Sequence, residues 1–181
     1  MNVFTRIQNI LFSPASEWPV IATEPKNGGL LFTTYVMPLV AIGAVARFLG
    51  TALLNAPLAG LEVGILNFVL TVLLVAIIGV IASKMAPQFN GRDDIGAALK
   101  LVAYSSTPGL LGGIFSILPD IAWLSLLFAV YGIYLTYTGA TPMMGVPADR
   151  RVPYTAILPG ALIVVFLIAI VIADVTLHAG H

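Results

Sequence analysis

The stretch YGIYLTYTGATPMMGVPADRR, residues 131–151, begins as an apolar helix and ends as a polar, doubly basic turn. Another long apolar run follows it. The chain has 181 residues, of which 59% are hydrophobic and 9% are charged, whereas a soluble domain has about 45–50% apolar and about 25% charged residues. Because so few charges cannot cover a water-facing surface, the composition predicts a membrane protein.

Apolar runs separated by turn residues predict an all-α polytopic fold with five transmembrane helices. Each run is close to the ~20 residues that cross about 30 Å of hydrocarbon. The connection between the third and fourth runs is very short, so those helices are expected to form an antiparallel hairpin. The predicted helices cover residues 30–54, 61–85, 95–118, 120–138 and 154–174.

Connections with basic residues alternate along the chain with connections that have none. The first connection, the third connection and the C-terminal tail contain no lysine or arginine. Such an asymmetry places the N-terminus in the cytoplasm and the C-terminus outside, after an odd number of crossings. Seven of the eight basic residues fall on the predicted cytoplasmic side, namely Arg6, Lys26, Lys84, Arg92, Lys100, Arg150 and Arg151.

Residues 1–29 are predicted as a cytoplasmic or interfacial amphipathic segment that precedes a five-helix transmembrane domain over 30–181. The segment lacks the continuous apolar core and cleavage site of a signal peptide, so the first spanning helix is expected to direct insertion. We expect two short helices, with Phe4 on the apolar face of the first and Trp18 as an interfacial anchor in the second. A loosely ordered leader is the alternative.

Three motifs resemble the Yip (Ypt-interacting protein) family in its bacterial branch. They are FSPASEW at 12–18, YSSTPGLLGGIFSILP at 104–119 and YGIYLTYTGATPMMGVPADRRVPYT at 131–155. The resemblance implies a five-helix domain in a bacterial inner membrane with a cytoplasmic N-terminus. Eukaryotic relatives are associated with Rab-type GTPases and vesicle traffic, but this chain lacks their long N-terminal extension, so that role is not carried over.

Arg47, the eighth basic residue, lies inside the first predicted helix and away from its cytoplasmic end. It lies sixteen residues after Leu31, about 24 Å along a helix, and a lone charge there costs about 2.5–3.5 kcal/mol on insertion scales. We therefore predict a polar cluster built on an Arg47–Glu62 pair, with snorkelling to the interface as the alternative. The candidate cluster comprises Arg47, Glu62, Asn67, Asp120 and Asp174.

The third predicted helix contains a proline near its middle. Pro108 removes one backbone hydrogen bond, and the neighbouring hydroxyls can satisfy the freed groups. Two interpretations stay open, a broken helix that exposes carbonyls to a solute and a packed kink. The candidate break comprises Tyr104, Ser105, Ser106, Thr107 and Pro108. Lys100, near the start of this helix, is expected to snorkel to the headgroups.

The fourth connection is the candidate cytoplasmic contact loop, with its two methionines expected to dip into the interface. Its candidate residues are Met143, Met144, Asp149, Arg150 and Arg151. The preceding tyrosines 131, 134 and 137 are expected to form an aromatic belt. A loop that only joins two helices is the alternative.

The sequence offers little for catalysis or metal binding. It has no cysteine, and no nucleophile triad, phosphate loop or zinc-protease motif appears, so neither an enzyme nor a cofactor is expected. Asp174, His178 and His181 have the spacing of a weak metal site, but an exposed tail is the simpler interpretation. A net charge of zero argues against nucleic acid as a partner.

Two functions compete at this stage. The first is a membrane scaffold or adaptor that recruits a protein partner at its cytoplasmic face. The second is a small transporter or channel component that uses the polar cluster, for which a homo-oligomer would supply a larger pore. The lipid bilayer is the partner common to both.

Overall fold

The structure, a computed structural model, describes residues 2–53 and 57–178, with their side chains except at Pro119 and 166–178. The regular elements of these residues are all helical, as predicted. Three helices in this part are long and apolar enough to cross a bilayer, namely Gly28–Ala52, Pro57–Phe89 and Leu124–Met144.

Nine α-helical segments, joined in places by short 3₁₀ or π turns, make up the described chain. A π turn over Phe32–Val36 joins α3 to α4 without a break in the helix, and a 3₁₀ turn over Ala86–Phe89 extends α5. The segments are α1 Val3–Phe12, α2 Pro14–Thr23, α3 Gly28–Leu31, α4 Met37–Ala52, α5 Pro57–Met85, α6 Ile95–Ser105, α7 Thr107–Gly112, α8 Leu124–Met144 and α9 Arg151–His178.

The predicted end of the fourth apolar helix was wrong by six residues. Gly139 reads as a turn residue in the sequence, but it lies inside α8, and a Cβ there would come within 2.7 Å of the Trp18 ring. The glycine therefore makes room for a neighbouring side chain. The helix ends at Gly145, whose φ of 70° is a left-handed conformation that glycine adopts readily.

The third predicted helix is divided into two. α6 ends at Ser105 and α7 begins at Thr107, with a single turn residue between them. Pro108 follows directly, and its missing N–H is tolerated because it lies in the first turn of α7. A 3₁₀ segment over Gly113–Ile117 then completes the stretch that was predicted as one helix.

Close contacts between backbones hold the bundle together. A Cβ on Gly132 of α8 would lie 2.7 Å from the carbonyl oxygen of Ser105, and one on Gly50 of α4 would lie 2.6 Å from that of Ser116. Any side chain at either position would force the helices apart. α4 packs along α5, and α8 lies against α6, α7 and α9.

Candidate functional site

The N-terminal pair, α1 and α2, encloses charges instead of exposing them. Arg6 of α1 is 4% exposed and Glu17 of α2 is 5% exposed. The Arg6 guanidinium donates from Nη1 to the Glu17 carboxylate and from Nη2 to the Glu24 carboxylate. Asn9 Nδ2 donates to the second Glu17 oxygen at 3.0 Å. Each buried charge therefore has hydrogen-bond partners, which burial of a charge requires.

Lys100 joins this pair to the bundle, contrary to the expected snorkelling. It is buried, and its Nζ donates to the carbonyl oxygens of Ile21 at 3.0 Å and Glu24 at 2.6 Å. These carbonyls lie at the C-terminal end of α2, where the helix dipole favours a cation; the Ile21 carbonyl also accepts from the Glu24 N–H at 3.3 Å. Acceptors within the protein thus replace the lipid headgroups. Arg6, Glu17, Glu24 and Lys100 are called here the N-terminal ionic cluster.

The α8 side of the bundle also holds the N-terminal pair. Tyr131 donates its hydroxyl to the carbonyl oxygen of Leu11 at 2.7 Å, at the C-terminal end of α1. Trp18 Nε1 donates to Thr138 Oγ1 at 3.1 Å. The predicted role of Trp18 as an interfacial anchor was wrong. Its side chain is fully buried against α8, where Gly139 has no side chain and so leaves room for the indole ring.

Aromatic side chains link the N-terminal ionic cluster to the helix break. The Arg6 guanidinium lies 5.5 Å from the centroid of the Tyr104 ring, a cation–π contact. Tyr104 in turn meets Tyr35 edge-on, with centroids 4.6 Å apart. The Tyr35 hydroxyl is hydrogen-bonded to Thr107 Oγ1 at 2.7 Å. Contiguous contacts therefore connect α1, α6, the π turn before α4 and the first residue of α7.

The candidate break is packed inside protein. Four of its residues are buried, and Ser106 is half-buried with its hydroxyl donating to the carbonyl of Val102 at 2.8 Å. The Ser105 hydroxyl is buried with no hydrogen-bond partner among the described residues. The geometry is thus closer to a packed kink than to a break that exposes carbonyls to solvent.

The candidate contact loop is divided between core and surface. Met143 and Met144 are buried, so the prediction that they enter the interface was wrong. Arg151 folds back, with Nε donating to Thr141 Oγ1 at 2.6 Å. Asp149 and Arg150 are exposed and form an ion pair at 3.5 Å. The two methionines point inward because the loop packs over the end of the bundle, so Asp149 and Arg150 are the exposed members of the five candidate residues.

Neighbouring segments meet at this end of the bundle. The Arg92 N–H donates to the carbonyl of Met144 at 2.8 Å, which joins the second connection to the fourth. Lys26 forms an ion pair with Asp94, which joins the N-terminal segment to the second connection. Every stretch that the charge pattern assigned to the cytoplasm therefore contacts another such stretch.

Hydrogen bonds also set the ionisation of the second connection. Lys84 and Ser83 donate to the Asp93 carboxylate at 2.7 and 2.6 Å, and they hold the pKa of Asp93 below its ordinary value. Partial burial raises the pKa of Asp94, but hydrogen bonds from Lys26 and from a backbone N–H outweigh burial, so the pKa is lowered overall. Both carboxylates are therefore held in the charged form.

Two members of the predicted polar cluster come together. Arg47 and Asn67 line a cavity of about 180 Å³ between α4, α5 and α7, called here the polar cavity. The predicted Arg47–Glu62 pair is absent from the described residues. Gly60 and Gly64 of α5 face α4. Glu62 lies two residues from each, which is about half a helical turn, so it is on the side of α5 that faces away from α4. The other polar residues of the cavity are Thr71, Ser116 and Ser125.

The remaining predicted site residues do not join this cavity. Asp120 is exposed and is not among its lining residues. The side chains of Asp174 and His178, and the whole of His181, lie outside the described residues. Within the described part, no group of three or more histidine, aspartate or glutamate side chains is arranged to hold a metal ion.

A model of the Yip1 domain matches residues 9–170, most of the chain. The chain belongs to the Yip1 domain family. The resemblance that the three motifs indicate is therefore confirmed, and with its long apolar helices this Yip1 protein is an integral membrane protein.

Two curated relatives are similar to this Yip1 protein. Both are called inner membrane protein YohC, from Escherichia coli strain K12 and from E. coli O6:H1 strain CFT073. Each is 25% identical over 150 residues, which cover 76% of this chain and 75% of the relative. No solved structure matches the chain.

Sequence reasoning missed the N-terminal ionic cluster of this Yip1 protein. One signal was available: α1 and α2 carry only Arg6 and Glu17 as charges, and Glu24 follows seven residues after Glu17 on the same helical face. Opposite charges at facing positions of two short helices that carry no other charge indicate an ion pair buried between those helices. Lys100 gave no such signal, because its acceptors are carbonyls distant in sequence.

Proposed function

We propose that this protein is a multi-pass scaffold or adaptor of the bacterial inner membrane, with five crossings, a cytoplasmic N-terminus and an outside C-terminus. Five apolar runs, the alternation of basic residues and the printed names of the relatives support this topology. α9 has 28 residues, so its backbone is long enough to cross the bilayer. With the three long apolar helices named above, four helices are long enough for a crossing. The interrupted α6–α7 stretch supplies the fifth.

The proposal assigns residues 1–29 to the inner-leaflet interface and residues 30–181 to the membrane domain. The outward surface of the N-terminal pair supports this assignment. Its exposed side chains are uncharged, and large apolar ones such as Phe4 and Phe12 are 64% and 82% exposed. An apolar outside around a charged inside suits a segment that lies among lipid headgroups and upper acyl chains.

The observation that carries the scaffold function is the joined cytoplasmic end. The N-terminal segment contacts the second connection, and the second connection contacts the fourth, so three separate stretches of sequence form one surface. Pre-organised surfaces lose little entropy on binding. The charges exposed there have mixed signs, which favours a specific protein partner. They include Lys84, Arg92, Asp93, Asp149 and Arg150.

The transporter alternative has less support from the geometry. Arg47 and Asn67 line the polar cavity. Beside it, towards α6, α8 and α9, lies a second cavity that is lined mainly by aliphatic side chains. Closer to the cytoplasmic end, Trp18, Leu101 and Leu135 are fully buried. A solute would therefore meet no polar route between the polar cavity and the cytoplasm among the described residues.

Site-specific cross-linking in living cells tests the scaffold function. A photo-reactive amino acid at Ala148, which is exposed next to the Asp149–Arg150 pair, is expected to yield one discrete adduct with another protein. The matched control carries the same group at Leu126, exposed on the apolar surface of α8. Arg150→Glu is expected to abolish the Ala148 adduct.

Three results would contradict the proposal. One is an absence of adducts at Ala148, and another is equal adducts at both positions. The third is solute flux through reconstituted vesicles that Arg47→Gln abolishes. The mass of the adduct distinguishes another protein from a second copy of this chain.

A further inference from the structure

Two cavities of different chemistry share a wall in the described structure. The polar cavity has a volume of about 180 Å³, and a cavity of about 430 Å³, called here the apolar cavity, adjoins it. Thr71, Gly109 and Leu110 line both. The larger volume falls within the range of about 300–1,000 Å³ that is usual for pockets that bind small molecules. Together the cavities have one charged end and one apolar end.

The polar cavity has the chemistry of an anion site. The Arg47 guanidinium offers up to five N–H donors and forms no ion pair with a described carboxylate. Asn67 and Ser116 add an amide and a hydroxyl, neither of which is hydrogen-bonded to another described side chain. Arg47 is exposed and lies five residues before the end of α4, so an anionic group at the outer interface can reach its guanidinium. A phosphate group can accept two parallel hydrogen bonds from a guanidinium.

The apolar cavity opens towards the expected position of the lipid. Its rim is formed by α8 and α9, with Val130 and Ile163 both more than half exposed. The hydroxyls of Ser106 and Thr136 on its wall donate to backbone carbonyls of their own helices, and the hydroxyl of Ser105 has no described partner, so a polar solute would find few free donors there. An acyl chain can therefore enter from the bilayer without crossing a polar barrier.

We propose that the two cavities form one binding site for an anionic phospholipid. Its phosphate binds Arg47 in the polar cavity, and one acyl chain lies in the apolar cavity. The polar cavity alone would suit a free anion, but the apolar cavity lies directly beside it, with Thr71, Gly109 and Leu110 lining both. This site is separate from the cytoplasmic surface and does not depend on the scaffold function.

Native mass spectrometry of the full chain in detergent tests the site, with phosphatidylglycerol and phosphatidylcholine of identical acyl chains as probes. Both lipids carry the phosphate, but phosphatidylcholine also carries a fixed cation that offsets the phosphate charge and repels Arg47. Phosphatidylglycerol is therefore expected to bind at least about tenfold more tightly than phosphatidylcholine. Arg47→Gln is expected to remove this preference. Lys84→Gln, which removes one positive charge at the opposite end of α5, is the control and is expected to leave it unchanged.

A second pair of variants tests the acyl chain. Ala129 lines the apolar cavity and is itself exposed, so Ala129→Phe is expected to fill the cavity and weaken the binding of both lipids at least about tenfold. Ala156→Phe adds the same bulk at an exposed position of α9 that does not line the cavity, and it is expected to have no effect. Thermal unfolding confirms that each variant is folded, and Val130→Phe replaces Ala129→Phe if the latter is not.

Several outcomes would overturn the proposal. They are equal affinity for the two lipids, an equal loss with Lys84→Gln and Arg47→Gln, or full binding after the apolar cavity is filled. Competition by glycerol phosphate at the same concentration as the lipid would show an anion site without a chain site. Cross-linking at Ala148 is independent of all these results, so failure of the lipid site is distinguishable from failure of the scaffold function.

Discussion

Replacing Arg6 by methionine tests whether the N-terminal ionic cluster stabilises the fold. The substitution keeps an unbranched side chain and removes the charge that Glu17 and Glu24 share. Breaking a buried pair costs about 3–5 kcal/mol, because the remaining charge is left buried without compensation. The lost contact with Tyr104 adds about 0.5–2 kcal/mol. Since Asn9 still donates to Glu17, we expect a net loss of about 3–5 kcal/mol.

The same substitution at the protein surface is the matched control. Arg150 and Asp149 form an ion pair whose side chains are 54% and 74% exposed. Surface pairs of this kind contribute about 0–1 kcal/mol, so Arg150→Met is expected to have little effect on unfolding. A second comparison is the double variant Arg6→Met with Glu17→Met. It is expected to recover much of the loss, because apolar replacement of a whole buried pair is often neutral or stabilising.

Tryptophan fluorescence provides the assay. Trp18 of α2 is fully buried against α8 and Trp123 is 63% exposed, so a Trp123→Phe background leaves Trp18 as the reporter. Unfolding is followed in mixed micelles with increasing denaturing detergent. Equal costs for Arg6→Met and Arg150→Met, or a double variant that loses the sum of the single losses, would refute the account of the cluster.

Three further predictions concern local contacts. Gly132→Ala is expected to lose about 1–3 kcal/mol through overpacking against a backbone carbonyl, whereas Gly109→Ala, whose Cβ has 3.8 Å of room, is expected to be neutral in the same unfolding assay. Tyr131→Phe leaves the Leu11 carbonyl without its donor and is expected to cost about 1–3 kcal/mol, measured as earlier exposure of Trp18. Because folding lowers the pKa of Asp93, its carboxylate stabilises the fold above pH 3.8, and this stabilisation is lost as the pH falls below that value. Thermal unfolding measured against pH is therefore expected to show a smaller loss of stability at low pH in Asp93→Asn than in the parent protein.

Features that depend on local pattern could be predicted from the sequence. Long apolar runs specify the membrane helices, since every backbone group in lipid must be bonded within its own segment. The alternation of basic residues assigned three segments to one end of the bundle, and the Arg92–Met144 and Lys26–Asp94 contacts agree with that grouping. The motif around Pro108 identified the position at which the third helix is divided.

Features that depend on contacts between residues distant in the sequence could not be predicted from it. Lys100 meets the end of α2, 79 residues earlier in the chain, and Trp18 meets Thr138, 120 residues later. Local sequence rules predict that a lysine reaches the headgroups and that a tryptophan lies at the interface. The hydrogen-bond partners that Lys100 and Trp18 have instead are formed only when the helices pack together. The Arg47–Glu62 pair failed for a related reason, since depth in the membrane does not specify which side of a helix a residue occupies.

Cysteine labelling tests the central claim, that the basic segments share the cytoplasmic face while the third connection lies on the other. The chain contains no cysteine, so Ala148→Cys and Trp123→Cys each provide one reactive site. A maleimide that cannot cross the inner membrane is expected to label Trp123→Cys in intact cells and Ala148→Cys only after that membrane is permeabilised. Labelling of both positions in intact cells, or of neither until permeabilisation, would contradict the proposed topology.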